Sequence, residues 1–141
     1  RDAGVRVGLG VDGSASNDAG DLMAEARQAM LLQRVARGAD AMSAREALEI
    51  ATLGGATVLG RAGELGSVEA GKRADLAIWD LRGLQSAGSW DPIAALVLCG
   101  PHRVRHLLVE GRQVVRDGRL TGLDADHLAA RARQATARLM G

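Results

Sequence analysis

The chain has 141 residues and a formal net charge of +1, with 47% hydrophobic and 25% charged side chains. That balance excludes a disordered or fibrous chain, and the near-zero charge excludes nucleic-acid or membrane-surface binding carried by bulk electrostatics. No apolar run reaches the roughly 20 residues of a spanning helix. No basic-then-apolar targeting stretch opens the sequence either. The single Cys99 excludes an internal disulfide and fits a reducing cytoplasm, where the protein is expected. Aromatics are confined to Trp79 and Trp90, so the expected core is Ala, Leu and Val. Arg1 stands where an initiator Met is usual and leads almost directly into a strand, so the chain is expected to begin inside a larger fold.

Val5, Val7, Leu9 and Val11 alternate and predict a buried strand over Val5–Asp12. Gly8 and Gly10 take the opposite face and let a neighbour pack close. Asp12-Gly13 turns the chain into a small polar loop, Ser14 to Asp18. Asn17 or Asp18 is the expected cap of a helix that runs to about Arg37 and stops at Gly38. Its Leu22, Met23, Met30, Leu31, Leu32 and Val35 point several ways, so it expects neighbours on several sides. Ser43-Ala44-Arg45-Glu46 is a capping box that starts a second helix. Gly54-Gly55 is predicted to break or bend that helix and Gly60 to end it.

Short strands and turns follow. Gly66 to Glu69 leads to an Ala70-Gly71 turn, and Ala74–Asp80 reads as a strand. Gly83 to Ser89 is a loop, and Asp91-Pro92 opens a short helix with Pro92 in its first turn. Val104–Val109 is a strand that Glu110-Gly111 turns into Arg112–Arg116, a hairpin in which Gly111 takes positive φ. Leu76, Ile78, Val104, Leu108 and Val114 are expected in one sheet. Asp117-Gly118 is another turn, and a last helix spans Asp124 to Met140, with Leu128, Ala132, Ala135 and Leu139 on one face.

His102 and His106 are four apart, but on an extended chain that spacing separates two would-be ligands by about 13 Å. They read as surface or interface histidines, His127 as solvated, and Cys99 as a small packed residue. Gly8 to Gly13 spells G-x-G-x-x-G, yet its glycines lie within the strand and Asp12 repels phosphate. Asp12 itself, at the end of a parallel-type strand beside a polar loop, stands where a carboxylate can bind a divalent metal and accept a proton from its water. The competing reading is a turn aspartate before glycine, and local features alone favour it.

Three motifs in this order together resemble the C-terminal third of an amidohydrolase-superfamily enzyme. Gly10-Val11-Asp12-Gly13-Ser14-Ala15-Ser16-Asn17-Asp18 resembles the end of the eighth barrel strand and its loop. Leu65 to Leu76 resembles the hairpin by which the chain re-enters a small β-sandwich. Val109 to Val115 resembles that domain's closing hairpin. With Asp91-Pro92 and Leu98-Cys99-Gly100-Pro101, the set looks most like the 8-oxoguanine deaminases and the related triazine hydrolases and chlorohydrolases.

The resemblance implies an α/β fold. Residues 1–62 would be the last βα unit of a (β/α)8 TIM-like barrel, 63–123 part of a β-sandwich, and 124–141 a C-terminal helix. It implies a metal-dependent hydrolase of C–N bonds other than peptide bonds, deaminating a purine-like or triazine-like ring. Asp12 would be metal ligand and proton shuttle. Ser14, Ser16 and Asn17 would line the substrate pocket or, for Asn17 above all, cap the helix. The cofactor implied is a divalent metal, zinc or alternatively iron. The family's His-x-His and its further histidine ligands do not occur in these residues. The chain is therefore expected to be a fragment, inactive alone, that associates with an N-terminal portion or with copies of itself. A small molecule is the expected substrate, with no nucleic-acid or membrane partner. The alternative function is a non-catalytic domain that only assembles.

Overall fold

A computed structural model describes residues 3–141, which divide into two units. One comprises the chain up to Arg73 together with Leu81–His102; the other comprises Ala74–Asp80 and Arg103–Gly141.

The first unit is helical. Helix α1 (Leu22–Arg37) is capped by Asp21, whose carboxylate accepts from the N–H groups of Met23 and Ala24. The cap thus lies beyond the predicted Asn17 and Asp18. Asn17 is engaged elsewhere: its amide donates to Glu25 Oε1 at 2.7 Å. Helix α2 (Ala44–Glu49) carries the predicted capping box, Ser43 Oγ accepting from Glu46 N and Glu46 Oε2 from Ser43 N. Gly54-Gly55 does not break the helix. A π-helical turn (Ile50–Gly54) runs on into α3 (Gly55–Val58), and Gly60 ends it at φ +71°.

The reason for the glycine pair lies across the unit. A Cβ on Gly54 would meet the Val7 carbonyl oxygen at 2.5 Å, and one on Gly8 would meet Gly55 Cα at 2.8 Å. Two backbones touch there with no side chain between them. The close approach expected of Gly8 is present; Gly10 has no such neighbour.

Residues 5–11 form no strand among the described residues, which corrects the expected Val5–Asp12 strand. A ladder needs a second backbone edge, and this segment instead lies along Gly54-Gly55. Val5 remains 64% exposed. Helix α4 (Pro92–Leu98) begins as expected, with Asp91 capping Ile93 N at 2.8 Å and Pro92 in the first turn. The core cluster is Ala26, Met30, Met42, Ala44, Ala47, Ile50 and Val97. Methionine takes the place expected of leucine: an unbranched thioether fills the gaps between alanine-lined helices. Leu32 and Val35 of α1 stay exposed. Residues 66–69 form no strand and lead into the expected Ala70-Gly71 turn.

The second unit holds an antiparallel sheet in the order β1-β2-β3-β4, made by Leu76–Trp79, Val104–Val109, Arg112–Arg116 and Arg119–Leu120, and a helix after it. Leu76 pairs with Leu108 and Ile78 with His106, and Leu76, Ile78, Val104, Leu108 and Val114 lie in one sheet as expected. The first strand starts at Leu76, two residues after the predicted Ala74. Glu110 and Gly111 both have positive φ, 49° and 78°, the twist a two-residue hairpin turn requires. Asp75 Oδ1 accepts from Glu110 N at 2.6 Å and braces this turn. Asp117-Gly118 repeats the geometry and adds β4, which the sequence reading did not foresee. Helix α5 (Ala125–Met140) follows, capped by Asp124, with no buried residue.

Candidate metal-ligating site

Three non-glycine residues among those described have positive φ: Asp12, Glu110 and Asp117. The latter two open hairpin turns and are followed by glycines of positive φ. Asp12, at φ +60°, is followed by Gly13 outside that region, and no hairpin explains its conformation. Left-handed backbone at a non-glycine residue is costly and collects at functional sites.

The loop that Asp12 heads is bonded to itself. Ser16 N and Asn17 N both donate to the Gly13 carbonyl at 2.9 Å. Asp12 Oδ1 accepts from Gly13 N at 2.7 Å, and Oδ2 from the Ser16 hydroxyl at 2.8 Å. These bonds, the Gly13 N–H first and the Ser16 hydroxyl second, hold the Asp12 carboxyl below its ordinary pKa of 3.8. Asp12 is exposed and anionic near neutral pH. Ser14 is exposed beside it. Asn17 ties the loop to α1 through Glu25, while its Oδ1 accepts from Ala19 N at 3.3 Å.

The donor set decides what metal chemistry fits. Each Asp12 oxygen accepts one hydrogen bond and keeps a lone pair for a cation. A catalytic zinc ion takes three protein ligands, and no group of three His, Cys, Asp or Glu is placed to hold a metal among the described residues. What this loop offers a cation is one carboxylate, each oxygen holding one hydrogen bond. Two of the histidines make a local contact, although His102 Nδ1 is buried without a hydrogen-bond partner among the described residues. His102 Nε2 lies 3.1 Å from the Ala95 carbonyl, and His106 Nδ1 lies 3.1 Å from Gln113 Nε2. Both are half-buried, more enclosed than surface histidines; His127 is exposed, as expected. Cys99 is half-buried. The G-x-G-x-x-G letters open no helix: the turn after Asp12 separates them from α1.

The sequence reading missed the Ser16–Asp12 bond. Its only trace in the sequence is a serine four residues after an aspartate, across a glycine. No helix among the described residues is long and apolar enough to cross a membrane.

Residues 1–114 match the amidohydrolase family. The chain is 47% identical over 138 residues to an 8-oxoguanine deaminase of Pseudomonas aeruginosa, covering 98% of this chain and 30% of that one. It is 38% identical over 116 residues to an S-triazine hydrolase of Gordonia rubripertincta, covering 81% and 24% respectively. Among solved structures, an adenosine deaminase from Xanthomonas campestris with bound zinc superposes with a TM-score of 0.91 at 35% identity, covering 99% of this chain and 32% of that one. The chain spans about a third of the length of the relatives it matches.

Proposed function

The chain belongs to the amidohydrolase family, and from that premise we propose that it supplies one metal ligand and one loop of a hydrolase site that deaminates a purine-like or triazine-like ring. The observation that carries this reading is Asp12: an exposed carboxylate, fixed at both oxygens and held in a left-handed backbone that no hairpin accounts for. The relatives' deaminase and triazine hydrolase activities, and the zinc in the adenosine deaminase structure, support the chemistry.

In this proposal residues 1–62 are the last βα unit of a (β/α)8 barrel, 63–123 part of a β-sandwich, and 124–141 a closing helix. The remaining metal ligands come from chain outside these 141 residues. So do the strands that pair with residues 5–11. An open groove of 650 Å³, lined in part by Val7, Leu9, Leu32, Met42 and Ile50, is apolar enough to take such cover. The assembly-only alternative rests on the same exposed side chains and does not account for Asp12.

The chemistry that a divalent metal supplies here, zinc in this proposal and iron as the alternative, is a water acidic enough to attack a ring carbon near neutral pH. Asp12 would hold that cation through one carboxylate oxygen. Its carboxylate also takes the proton of the attacking water and passes it to the departing ring amine, which leaves as ammonia. Ser14 faces the substrate. Ser16 and Asn17 border the same pocket and hold the loop, the first through Asp12 and the second through Glu25. The reading is of a cytoplasmic enzyme with a small-molecule substrate and no nucleic-acid or membrane partner.

The test is ammonia release from 8-oxoguanine, 5-methylthioadenosine and an aminotriazine by the zinc-loaded gene product that carries these residues. Release from at least one ring is expected. A zinc-bound protein inert toward all three contradicts the reading.

A further inference from the structure

We propose that Ser16 is a positioning residue for the metal: its hydroxyl fixes the orientation of the Asp12 carboxylate that would hold the cation. This rests on the reading of Asp12 as a metal ligand given above.

An exposed carboxylate on a short side chain ordinarily turns about its terminal torsion, which is broad and roughly two-fold. At Asp12 that rotation is pinned from both sides. Gly13 N–H holds Oδ1, a bond that the backbone supplies whatever residue follows. The Ser16 hydroxyl holds Oδ2 at 2.8 Å, and this is a side-chain contribution. The serine is itself anchored, because Ser16 N donates to the Gly13 carbonyl at 2.9 Å.

Ser16 Oγ also lies 3.1 Å from that carbonyl. A hydroxyl has one proton, and the nearer, charged acceptor takes it. The bond therefore runs from serine to carboxylate. With alanine at 16, Oδ2 loses its partner, the carboxylate turns, and cation binding must order it. Hydrogen-bond partners behind metal ligands commonly account for about 10–100-fold in metal affinity.

The experiment compares Ser16→Ala and Ser16→Thr with the wild-type gene product. Zinc dissociation constants are read by chelator competition, and thermal midpoints are taken on the metal-free proteins. Ser16→Ala is expected to weaken zinc binding about 10-fold or more while leaving the metal-free midpoint in place. Ser16→Thr, which keeps the hydroxyl, is expected to restore binding. Equal zinc affinity in wild type and Ser16→Ala overturns the proposal. So does a threonine variant that binds no better than alanine, and so does a metal-free midpoint that falls, which marks a merely structural serine. A wild-type protein that binds no zinc is a different failure: it removes the active-site reading itself, and this proposal with it.

Discussion

Replacing Gly54 by alanine puts a methyl carbon 2.5 Å from the Val7 carbonyl oxygen and 3.3 Å from that of Glu49. The backbone at Gly54 is ordinary helix, φ −60° and ψ −48°. In an unobstructed helix the change is favourable by about 1 kcal/mol, because glycine has the greater backbone freedom to lose. Here the methyl lies about 1 Å inside the optimal separation of non-bonded atoms. Its obstacle is backbone, which cannot swing aside as a side-chain end can. The Val7–Gly8 segment must therefore retreat from the helix.

Overpacking of this kind costs about 1–3 kcal/mol. Set against the propensity gain, the net expectation for Gly54→Ala is a loss of up to about 2 kcal/mol. Gly55 is the internal control. It is equally helical, φ −59° and ψ −46°, and a Cβ there meets nothing within 4 Å. Gly55→Ala is expected to gain up to about 1 kcal/mol. Adjacent glycines thus carry opposite signs. Urea unfolding followed by circular dichroism measures both. Equal stability of the two variants would show that Val7–Gly8 does not lie against the glycine pair.

Two further outcomes follow from local geometry. Ser43→Ala removes the hydroxyl that accepts from Glu46 N and is expected to lower unfolding stability by about 1 kcal/mol in the same urea assay. Glu64 is held below its usual value of 4.5 by hydrogen bonds from Arg61 and then Arg73. Because its folded pKa is depressed, the stabilisation is present above the unfolded value and lost as pH falls through the folded one. The thermal midpoint should fall with acid below about pH 4.5 more steeply in wild type than in Glu64→Gln; equal slopes would contradict the pairing.

What was legible in the sequence was what neighbouring residues decide among themselves. The capping box at Ser43–Glu46, the Asp91-Pro92 helix start and the Glu110-Gly111 hairpin each close within a few residues, so letters suffice. The cap of α1 was misplaced because Asn17, Asp18 and Asp21 all qualify locally. The choice depends on Asn17 being taken by Glu25, eight residues on. The Val5–Asp12 strand failed for a related reason: alternation specifies the faces of a strand but brings no partner edge. Gly54-Gly55 looked like a helix breaker because propensity treats glycine as weakness. Its use here, backbone contact with the distant Val7–Gly8 segment, is visible only in three dimensions. Of the site, Asp12 was named from an expected strand end, which the fold does not show, and again through the resemblance, whereas its left-handed backbone and the Ser16 bond came from the fold.

The central claim concerns Asp12, and Asp12→Asn in the gene product that carries these residues tests it most directly. Asparagine tolerates the left-handed region and its carbonyl still accepts from Gly13 N or Ser16, so the fold stays intact; what is lost is the charge and a proton acceptor. Ring-deaminating turnover and bound zinc, measured on the same preparation beside wild type, are expected to fall together, turnover by several orders of magnitude, with the thermal midpoint of the metal-free protein unchanged. A variant that deaminates at the wild-type rate would contradict the assignment of Asp12.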